Sequence, residues 1–521
     1  MVFKKSYGLL LGLFLLYGGI RTFAVTVGGV LDSYPEYNVS SLNRTSFPTN
    51  FVFGASSAAY QFEGAWNADG KGPSNWDNFT HTYPDKVLDG TNGDVADDQY
   101  NRYAEDVTIM KNLSLDGYRF SISWARILPT GSLSGGTNGN GIAHYNNLLS
   151  QLQANGIEPY VTLFHWDIPQ ALDDEYGGFL SSRVVNDFVD FADICFREFG
   201  SRVKYWITLN EPYAFSTGGY GSGSVAPGRC SAWLDSNCTG GDSATEPYIV
   251  SHNLLLAHAA AARLYKRKYQ SIQQGQIGIA HAASWGLPYS DSESDLNATQ
   301  RFKDFELGWY LDPMVFGDYP ETLKSIVGSR LPNFTTQQSA MLKGSYDFIG
   351  LNYYSTSYIQ DSPIPNGSLP SSTTDPQFSS TGERNGVQIG PVAGSSWLYI
   401  YPPGIQDMLL YVKNTYNNPQ IVITECGVDE VNNTTLSLTE QLTDPMRISY
   451  YYNHLGYLRK AIVEDGVNVT GFFAWSLLDD YEWTAGFTIR FGLIYIDYLN
   501  GLTRYYKQSA TWFKSFLEIR N

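Results

Sequence analysis

The chain has 521 residues, of which 43% are hydrophobic, 15% aromatic and 16% charged. So much apolar sequence excludes a disordered or fibrous protein, because it is enough to fill a large core. The formal net charge of −17 argues against nucleic acid and anionic membrane surfaces as partners. Four cysteines in a chain of this length exclude a disulfide scaffold.

Residues 1–24 have the pattern of a secretory signal peptide. A basic start precedes an apolar stretch over 7–20, and residues 22–24 resemble a small-residue cleavage site. A retained membrane anchor is the alternative, for which the apolar stretch is short. We therefore expect a mature chain of residues 25–521 that enters the secretory pathway, reaches the cell wall, another extracellular space or the vacuole, and has no membrane attachment.

Two further signals fit an oxidising compartment. Cys230 and Cys238 lie close together in a loop rich in Gly and Ser, which favours a local disulfide. No Cys and His spacing matches a metal site, and we expect no metal and no cofactor. The many Asn-X-Ser/Thr glycosylation sites indicate a glycoprotein. These sites begin at Asn38, Asn43, Asn78, Asn112, Asn237, Asn297, Asn333, Asn366, Asn432, Asn433 and Asn468.

Short β-rich runs alternate with helical patterns along the chain. The helical patterns include 181–199, 246–269 and 444–464, and the Gly/Ser/Pro-rich stretch 361–396 is interpreted as a long surface loop. Eight strands alternating with helices predict an α/β protein, a single-domain (β/α)8 TIM barrel with long βα loops. The predicted strands cover 51–64, 117–124, 158–167, 203–212, 276–285, 346–355, 420–427 and 469–479.

Two glutamates occupy matching positions on different predicted strands. Glu211 follows YWITLN, and Glu425 follows IVIT. A charged residue directly after an apolar strand is costly to bury without a partner, and two structural Glu–Arg pairs are one explanation. The aromatic and amide residues at the same strand ends favour a glycosidase, because barrel enzymes hold their sites at the carboxyl ends of the strands.

The chemistry of glycoside cleavage accounts for these residue types. Cleavage with retention needs two carboxyl groups about 5–5.5 Å apart, one attacking the anomeric carbon and one protonating the leaving oxygen. The attacking group must be ionised and the acid protonated, so the two pKa values must differ. Arg119, in YRFSISW, is suited to hold one carboxylate ionised by direct pairing.

The chain resembles the plant β-glucosidases of glycoside hydrolase family 1, from residue 51 to about residue 516. The family's (β/α)8 barrel agrees with the strand count, and the presence of both glutamates argues against an inactive relative. The resemblance is carried by FVFGASSAAYQFEG, YRFSISWARILP, LFHWDIPQAL, TLNEP, GLNYYS, ITECG, WSLLDDYEW and RFGLIYIDY, in the family's order and spacing.

The resemblance implies roles for individual residues. Glu211 would be the general acid and base, and Glu425 the nucleophile. Asn210 would hold the sugar 2-hydroxyl, and Trp475 would form the floor under the sugar's apolar face. Phe491 would border the pocket. The nucleophile would be supported by Arg119, Asn352 and Tyr354, and the remaining hydroxyls would be held by Gln61, His165, Trp166, Glu482 and Trp483.

Structural alternatives remain for several of these residues. His165 would otherwise be a core histidine, Trp166 and Trp483 packing aromatics, and Arg119 a bridge between strands. Trp397 matches a position that stacks on the aglycone, the leaving part of the substrate. For the loop aromatics Tyr213, Phe215, Trp285, Tyr289 and Tyr399, a further aglycone wall and packing on the barrel rim are equally compatible with the sequence.

The chain departs from the family pattern at three positions. Cys426 stands where the family has Asn after the nucleophile, and Asp480 and Tyr481 replace the commoner Asn and Phe of the WSLLDNFEW motif. Thr217 and Gly218 provide no cation for a sulfated aglycone of the myrosinase type.

The sequence therefore predicts a retaining β-glucosidase that acts on small glucosides with phenolic or other apolar aglycones. Two alternatives stay open, a transglucosidase of the same fold and a sugar-binding protein without activity. The oligomeric state is left open.

Overall fold

The computed structural model describes residues 41–365 and 367–519, so the predicted signal peptide lies outside the described residues. Eight parallel strands close into a barrel and follow one another around it in chain order, which confirms the predicted fold. The strands are β1 (Val52–Ser56), β2 (Gly117–Ser121), β3 (Glu158–Phe164), β4 (Tyr205–Asn210), β5 (Gln276–Ala282), β6 (Phe348–Tyr353), β7 (Ile421–Cys426) and β8 (Val469–Ala474).

Helices connect the strands and cover the outside of the barrel. The longer helices are Asn75–Thr82, Gln99–Asn112, Gly139–Ala154, Val184–Phe199, Glu246–Lys268, Glu293–Lys303, Pro403–Thr415, Pro445–Val463 and Gln508–Glu518. The shorter helices are Ala59–Phe62, Trp124–Ile127, Gln170–Tyr176, Pro212–Thr217, Gln270–Gln273, Trp309–Val315, Glu321–Val327, Thr336–Leu342 and Leu438–Gln441.

The helix Val184–Phe199 illustrates why these segments are helical. Its apolar residues recur every three or four positions, so that Phe188, Phe191 and Cys195 share one buried face. This face packs into the large core between the helices and the barrel. Among the described residues, this core forms one continuous cluster. Cys195 on this face is a buried free thiol.

A separate apolar cluster fills the inside of the barrel. The rings of Tyr160 on β3 and Phe473 on β8 are 4.6 Å apart, although these strands are not neighbours, so the contact crosses the barrel. Alternate residues of a strand face opposite sides, which leaves one set for this interior and one for the helices. The interior cluster comprises Tyr160, Ile207, Ala280, Phe348, Val422 and Phe473.

The strands end earlier than the sequence predicts, because the polar residues after them have already left the sheet. Gln61 lies in the helix Ala59–Phe62 and not in an extended β1. Two strands also change register near the glutamates. In β4, which ends just before Glu211, the shift lies between Ile207 and Asn210, and in β7, which contains Glu425, it lies between Ile423 and Glu425. Such irregularities re-aim side chains at strand ends, here at the mouth of the barrel.

The βα loops contain further structure. The predicted loop 361–396 includes the strands Phe378–Thr381, Glu383–Arg384 and Val387–Gln388. A disulfide joins Cys230 and Cys238, whose Cα atoms are 5.4 Å apart, as predicted. In the described ranges no helix combines the length and apolarity needed to span a bilayer. The remaining small strands are Trp285–Pro288, Thr356–Asp361, Glu430–Val431, Ile489–Arg490, Ile494–Asp497 and Thr503–Tyr506.

The interior cluster supports a prediction about stability. Ile207→Ala removes a fully buried side chain from inside the barrel and is expected to lower the free energy of unfolding by about 2–5 kcal/mol. Ile272→Ala is the matched control, because Ile272 is 80% exposed; its effect is expected within about 0.5 kcal/mol. Urea unfolding followed by circular dichroism measures both, and equal midpoints for the two variants would contradict this packing.

Candidate active site

The carboxyl ends of the strands bring Glu425 against two hydrogen-bond donors. Arg119, fully buried on β2, forms an ion pair with Oε1 of Glu425 through Nη1. The Tyr354 hydroxyl, just beyond β6, donates to Oε2 of the same carboxylate at 2.5 Å. Charge-assisted bonds of this kind fix the plane of a carboxylate, so Glu425 is held in one orientation.

Glu211 has a different environment. It follows β4 with a φ of 40°, in the left-handed region, which turns its side chain out of the strand direction. Its Oε1 accepts a hydrogen bond from Nδ2 of Asn352 at 2.8 Å. Burial and the nearby negative charge of Glu425 raise the pKa of Glu211 to about 8, against the opposing effects of Asn352 and Arg119. The two glutamates therefore lie close enough to interact electrostatically and differ in their bonding.

An amide network connects the two glutamates. Oδ1 of Asn210 accepts from Nη2 of Arg119 at 2.5 Å and from Nδ2 of Asn352 at 3.1 Å. Thr424 donates to Oδ1 of Asn352 at 2.6 Å, which orients that amide. Hydrogen bonds thus connect residues of β2, β4, β6 and β7 at the carboxyl ends of these strands.

His165 completes this network after β3. Nδ2 of Asn210 lies 3.0 Å from Nε2 of His165, and since the amide donates, Nε2 is the acceptor. Burial, and secondly the charge of Arg119, lower the pKa of His165 well below its usual value, so the ring is neutral. Its Nδ1 is buried and has no hydrogen-bond partner among the described residues, which leaves this N–H for a bound ligand.

A second polar edge is built from Gln61 and Glu482. Nε2 of Gln61 donates to Oε2 of Glu482 at 3.3 Å and to the Tyr481 carbonyl at 3.1 Å. Oε1 of Gln61 is buried and receives no hydrogen bond from the described part of the chain. This edge offers an unused acceptor and a carboxyl group to a polar ligand.

Aromatic rings line the space between these polar groups. The rings of Trp166 and Trp483 are 4.6 Å apart, and Nε1 of Trp166 donates to the Asn210 carbonyl at 3.0 Å. His165 stacks on Trp475 at 6.0 Å. Phe491 meets Tyr354 edge-on at 5.9 Å. All the residues predicted to contact the sugar ring thus belong to one connected group at the barrel mouth.

The predicted aglycone residues divide into two sets. Trp397 is 53% exposed and meets Tyr354 edge-on at 6.1 Å, at the outer side of this group. Tyr213, Tyr289 and Tyr399 are partly exposed. Phe215 and Trp285 do not line the aglycone side. Phe215 is buried against Phe164 and Phe179, and Trp285 is buried against Tyr411. These last two aromatics belong to the core.

Cys426 is a buried spacer beside the nucleophile position. Its Sγ lies 3.6 Å from the hydroxyl of Tyr450, which donates to the carbonyl of Tyr354 at 3.0 Å. Burial raises the pKa of the Cys426 thiol to about 12, so the thiol is protonated and unreactive.

Two polar residues of this site, Thr424 and Glu306, were not predicted from the sequence. Thr424, which orients Asn352, was signalled by its position one residue before Glu425 in a strand. Glu306 is buried, accepts from the Ser284 backbone N–H at 2.8 Å and adds to the rise in the pKa of Glu211. Its signal was an acidic residue inside the apolar pattern DFELGW. Across residues 41–365 and 367–519, no group of three His, Cys, Asp or Glu is arranged to hold a metal ion.

Comparison with known proteins agrees with this geometry. The family model described as glycosyl hydrolase family 1 matches residues 43–521. β-Glucosidase 24 of Oryza sativa subsp. japonica is 57% identical over 476 residues, covering 91% of this chain and 94% of the rice protein. Isoflavonoid 7-O-β-apiosyl-glucoside β-glycosidase of Dalbergia nigrescens is 54% identical over 519 residues, covering 99% of this chain and 92% of that protein.

Solved structures give the same result. A Glu-to-Gln mutant of a rice β-glucosidase, in a covalent complex with glucose from GA4GE, superposes with a TM-score of 0.90 at 49% identity. The match covers 92% of this chain and 100% of the rice chain. The chain therefore belongs to glycosyl hydrolase family 1 and is an enzyme of the β-glucosidase type, as the sequence motifs predict.

Proposed function

We propose that this protein is a retaining β-glucosidase that hydrolyses terminal, non-reducing β-D-glucosyl residues through a covalent glycosyl-enzyme intermediate. One observation carries the proposal: two neighbouring carboxyl groups have opposite environments. Glu425 is held between Arg119 and Tyr354, whereas burial and the charge of Glu425 raise the pKa of Glu211 to about 8. Such a pair supplies an ionised nucleophile and a protonated acid at the same pH. The covalent glucose complex of the rice relative supports the intermediate.

In the first step the carboxylate of Glu425 attacks the anomeric carbon. The bond from that carbon to the leaving oxygen breaks, and Glu211 transfers its proton to this oxygen, so that the aglycone leaves as a neutral alcohol or phenol. The negative charge of Glu425 is consumed in an ester bond to glucose. Arg119 and Tyr354 orient the attacking carboxylate.

The second step follows from the change in charge. Formation of the ester removes the negative charge that helps to raise the pKa of Glu211, so the pKa of Glu211 falls and the carboxylate form is favoured. Glu211 then accepts a proton from water, whose oxygen attacks the anomeric carbon and releases Glu425. Glucose leaves with its original configuration, and Glu211 is protonated again.

The groups with unused hydrogen-bonding capacity are suited to hold glucose. Nδ1–H of His165 and Oε1 of Gln61 have no partner among the described residues, and Glu482 lies beside Gln61. Asn210 retains one amide N–H for the 2-hydroxyl after its bond to His165. The Trp475 indole provides a flat apolar surface for the C–H face of the sugar.

We propose small glucosides with flat phenolic or other apolar aglycones as substrates. The exposed ring of Trp397 next to Tyr354 supports stacking at the outer side of the site. The name of the Dalbergia nigrescens relative, an isoflavonoid 7-O-β-apiosyl-glucoside β-glycosidase, also refers to a ring-bearing aglycone. For location, the pattern of residues 1–24 and the Cys230–Cys238 disulfide support a secreted or vacuolar chain of residues 25–521.

Loss of the nucleophile has a diagnostic consequence. Glu425→Ala is expected to abolish hydrolysis of an aryl β-glucoside, and azide is expected to restore turnover by filling the vacated space, yielding the α-glucosyl azide. Proton NMR of the product measures its configuration. Glu321→Ala is the control, since the Glu321 side chain is 90% exposed, and is expected to retain wild-type activity. Residual hydrolysis equal to that of the control would contradict a nucleophile at this position.

The raised pKa of Glu211 predicts the alkaline limit of activity. The active form is protonated and persists up to about pH 8, so kcat/KM for a glucoside with a poor leaving group is expected to fall as the pH rises beyond that value. Glu211→Gln is expected to lower this kcat/KM by about 10²- to 10⁴-fold, because proton donation is lost.

The leaving group provides the internal control. In the Glu211→Gln variant, a dinitrophenyl glucoside needs no proton for departure, so its first step, measured as a burst, is expected to stay fast and to show no alkaline decline. If the rate of this first step in Glu211→Gln still falls at alkaline pH as it does in the wild type, the ionisation that limits activity belongs to a group other than Glu211.

A further inference from the structure

Asp480 is a buried carboxyl group that the mechanism does not use. It is 1% exposed, and neither of its oxygens receives a hydrogen bond of standard geometry from the described residues. The Ser476 hydroxyl lies beside it but donates to the Leu478 carbonyl at 2.6 Å. The carboxyl group of Glu482 is a further neighbour, and the two carboxyl groups interact directly. Two carboxyl groups in such contact away from water repel each other unless one holds a proton between them.

The nearby cations are already engaged. Arg490 and Lys507 both bind Asp479, each at 2.6 Å. In the described chain, no Lys, Arg or His forms an ion pair with Asp480 or Glu482. A buried carboxylate without a cation is costly, which adds to the case for a retained proton.

The other charged and titratable groups around this carboxyl pair are mostly acidic. Burial, and next the charge of Asp479, raise the pKa of Asp480 well above its usual value, while burial and Asp480 do the same for Glu482. The groups that face the pair from the surrounding elements are Asp97, Tyr354, Glu425, Asp429, Asp479 and Tyr498.

We propose that Asp480 is a positioning residue that shares one proton with Glu482, and that the affinity for glucose is thereby coupled to that proton. The inference rests on the proposed glucosidase function, in which Glu482 and Gln61 hold sugar hydroxyls. The relevant departure from the family motif is Asp480 itself. An Asn at this position would donate a permanent N–H, whereas an Asp can form a hydrogen bond with Glu482 only while the carboxyl pair retains its proton.

The coupling has a defined sign. When the proton is present, Glu482 is oriented and the pair carries one negative charge. When it is lost at higher pH, two buried negative charges repel each other and the sugar must bind to a disrupted edge. Glucose binding above this ionisation is then accompanied by uptake of one proton, and the dissociation constant rises about tenfold per pH unit.

Isothermal titration calorimetry with glucose tests this coupling. The titrations use the Glu211→Gln variant, so that the acid of the mechanism takes up no proton, and buffers of different ionisation enthalpy to count protons. We expect the dissociation constant to be constant at acidic pH and then to rise with proton uptake. In the double variant Glu211→Gln/Asp480→Asn we expect the acidic-pH affinity to be retained, no proton uptake, and no rise.

The outcomes separate the inference from the proposed function. The role of Asp480 would be overturned if the affinity of Glu211→Gln for glucose did not depend on pH. It would also be overturned if the double variant took up as many protons on binding glucose as Glu211→Gln does. Absence of glucose binding by every variant at every pH would instead contradict the proposed function. Asp480→Ser, made in the Glu211→Gln background, is a second non-titrating variant should the Asn variant not fold. Asp318→Asn in the same background changes an exposed carboxyl group and is the control, which is expected to behave as Glu211→Gln alone.

Discussion

The buried ion pair between Arg119 and Glu425 is the interaction on which the barrel mouth depends. Arg119 is the cation that contacts both the nucleophile position and Asn210, so one guanidinium orients a carboxylate on β7 and an amide on β4. Removal of one partner would leave an uncompensated buried charge, which is far more costly than the loss of a surface pair. Among the described residues, Glu211 forms no ion pair, and the amide of Asn352 contacts it instead. The two glutamates therefore have different environments because Glu425, and not Glu211, is paired directly with Arg119.

Backbone irregularity at the strand ends makes the arrangement possible. Register shifts precede both glutamates, and Glu211, Trp166 and Trp483 adopt positive φ values. Non-glycine residues pay for such conformations with strain, and strain of this kind is concentrated at functional sites. The regular, apolar part of the barrel below, including Ile207 and Phe473, provides the stability against which these strained positions are held.

Much of this structure could be predicted from the sequence, because the alternation of strands and helices and the motifs at the strand ends are local signals. The placement of the aromatic loop residues could not be predicted, because an aromatic residue in a loop is compatible with a place in the aglycone wall or in the hydrophobic core. Phe215 and Trp285 belong to the core. Glu306 was also missed, because its effect on Glu211 depends on which loops meet in space. Asp480 was recognised as a departure, but its contact with a second carboxyl group is visible only in three dimensions.

The proposed mechanism depends most on one atom, the carboxylate oxygen of Glu425 that is proposed to bond to the anomeric carbon. Incubation with 2-deoxy-2-fluoro-β-D-glucosyl fluoride slows both steps through the fluorine at C2, while the fluoride leaving group lets the first step proceed, so that the intermediate accumulates. Peptide mapping by mass spectrometry should then find one fluoroglucosyl group, attached to Glu425, with glucose protecting against labelling. A label on Glu211 or elsewhere, or full turnover with no trapped adduct, would contradict Glu425 as the nucleophile.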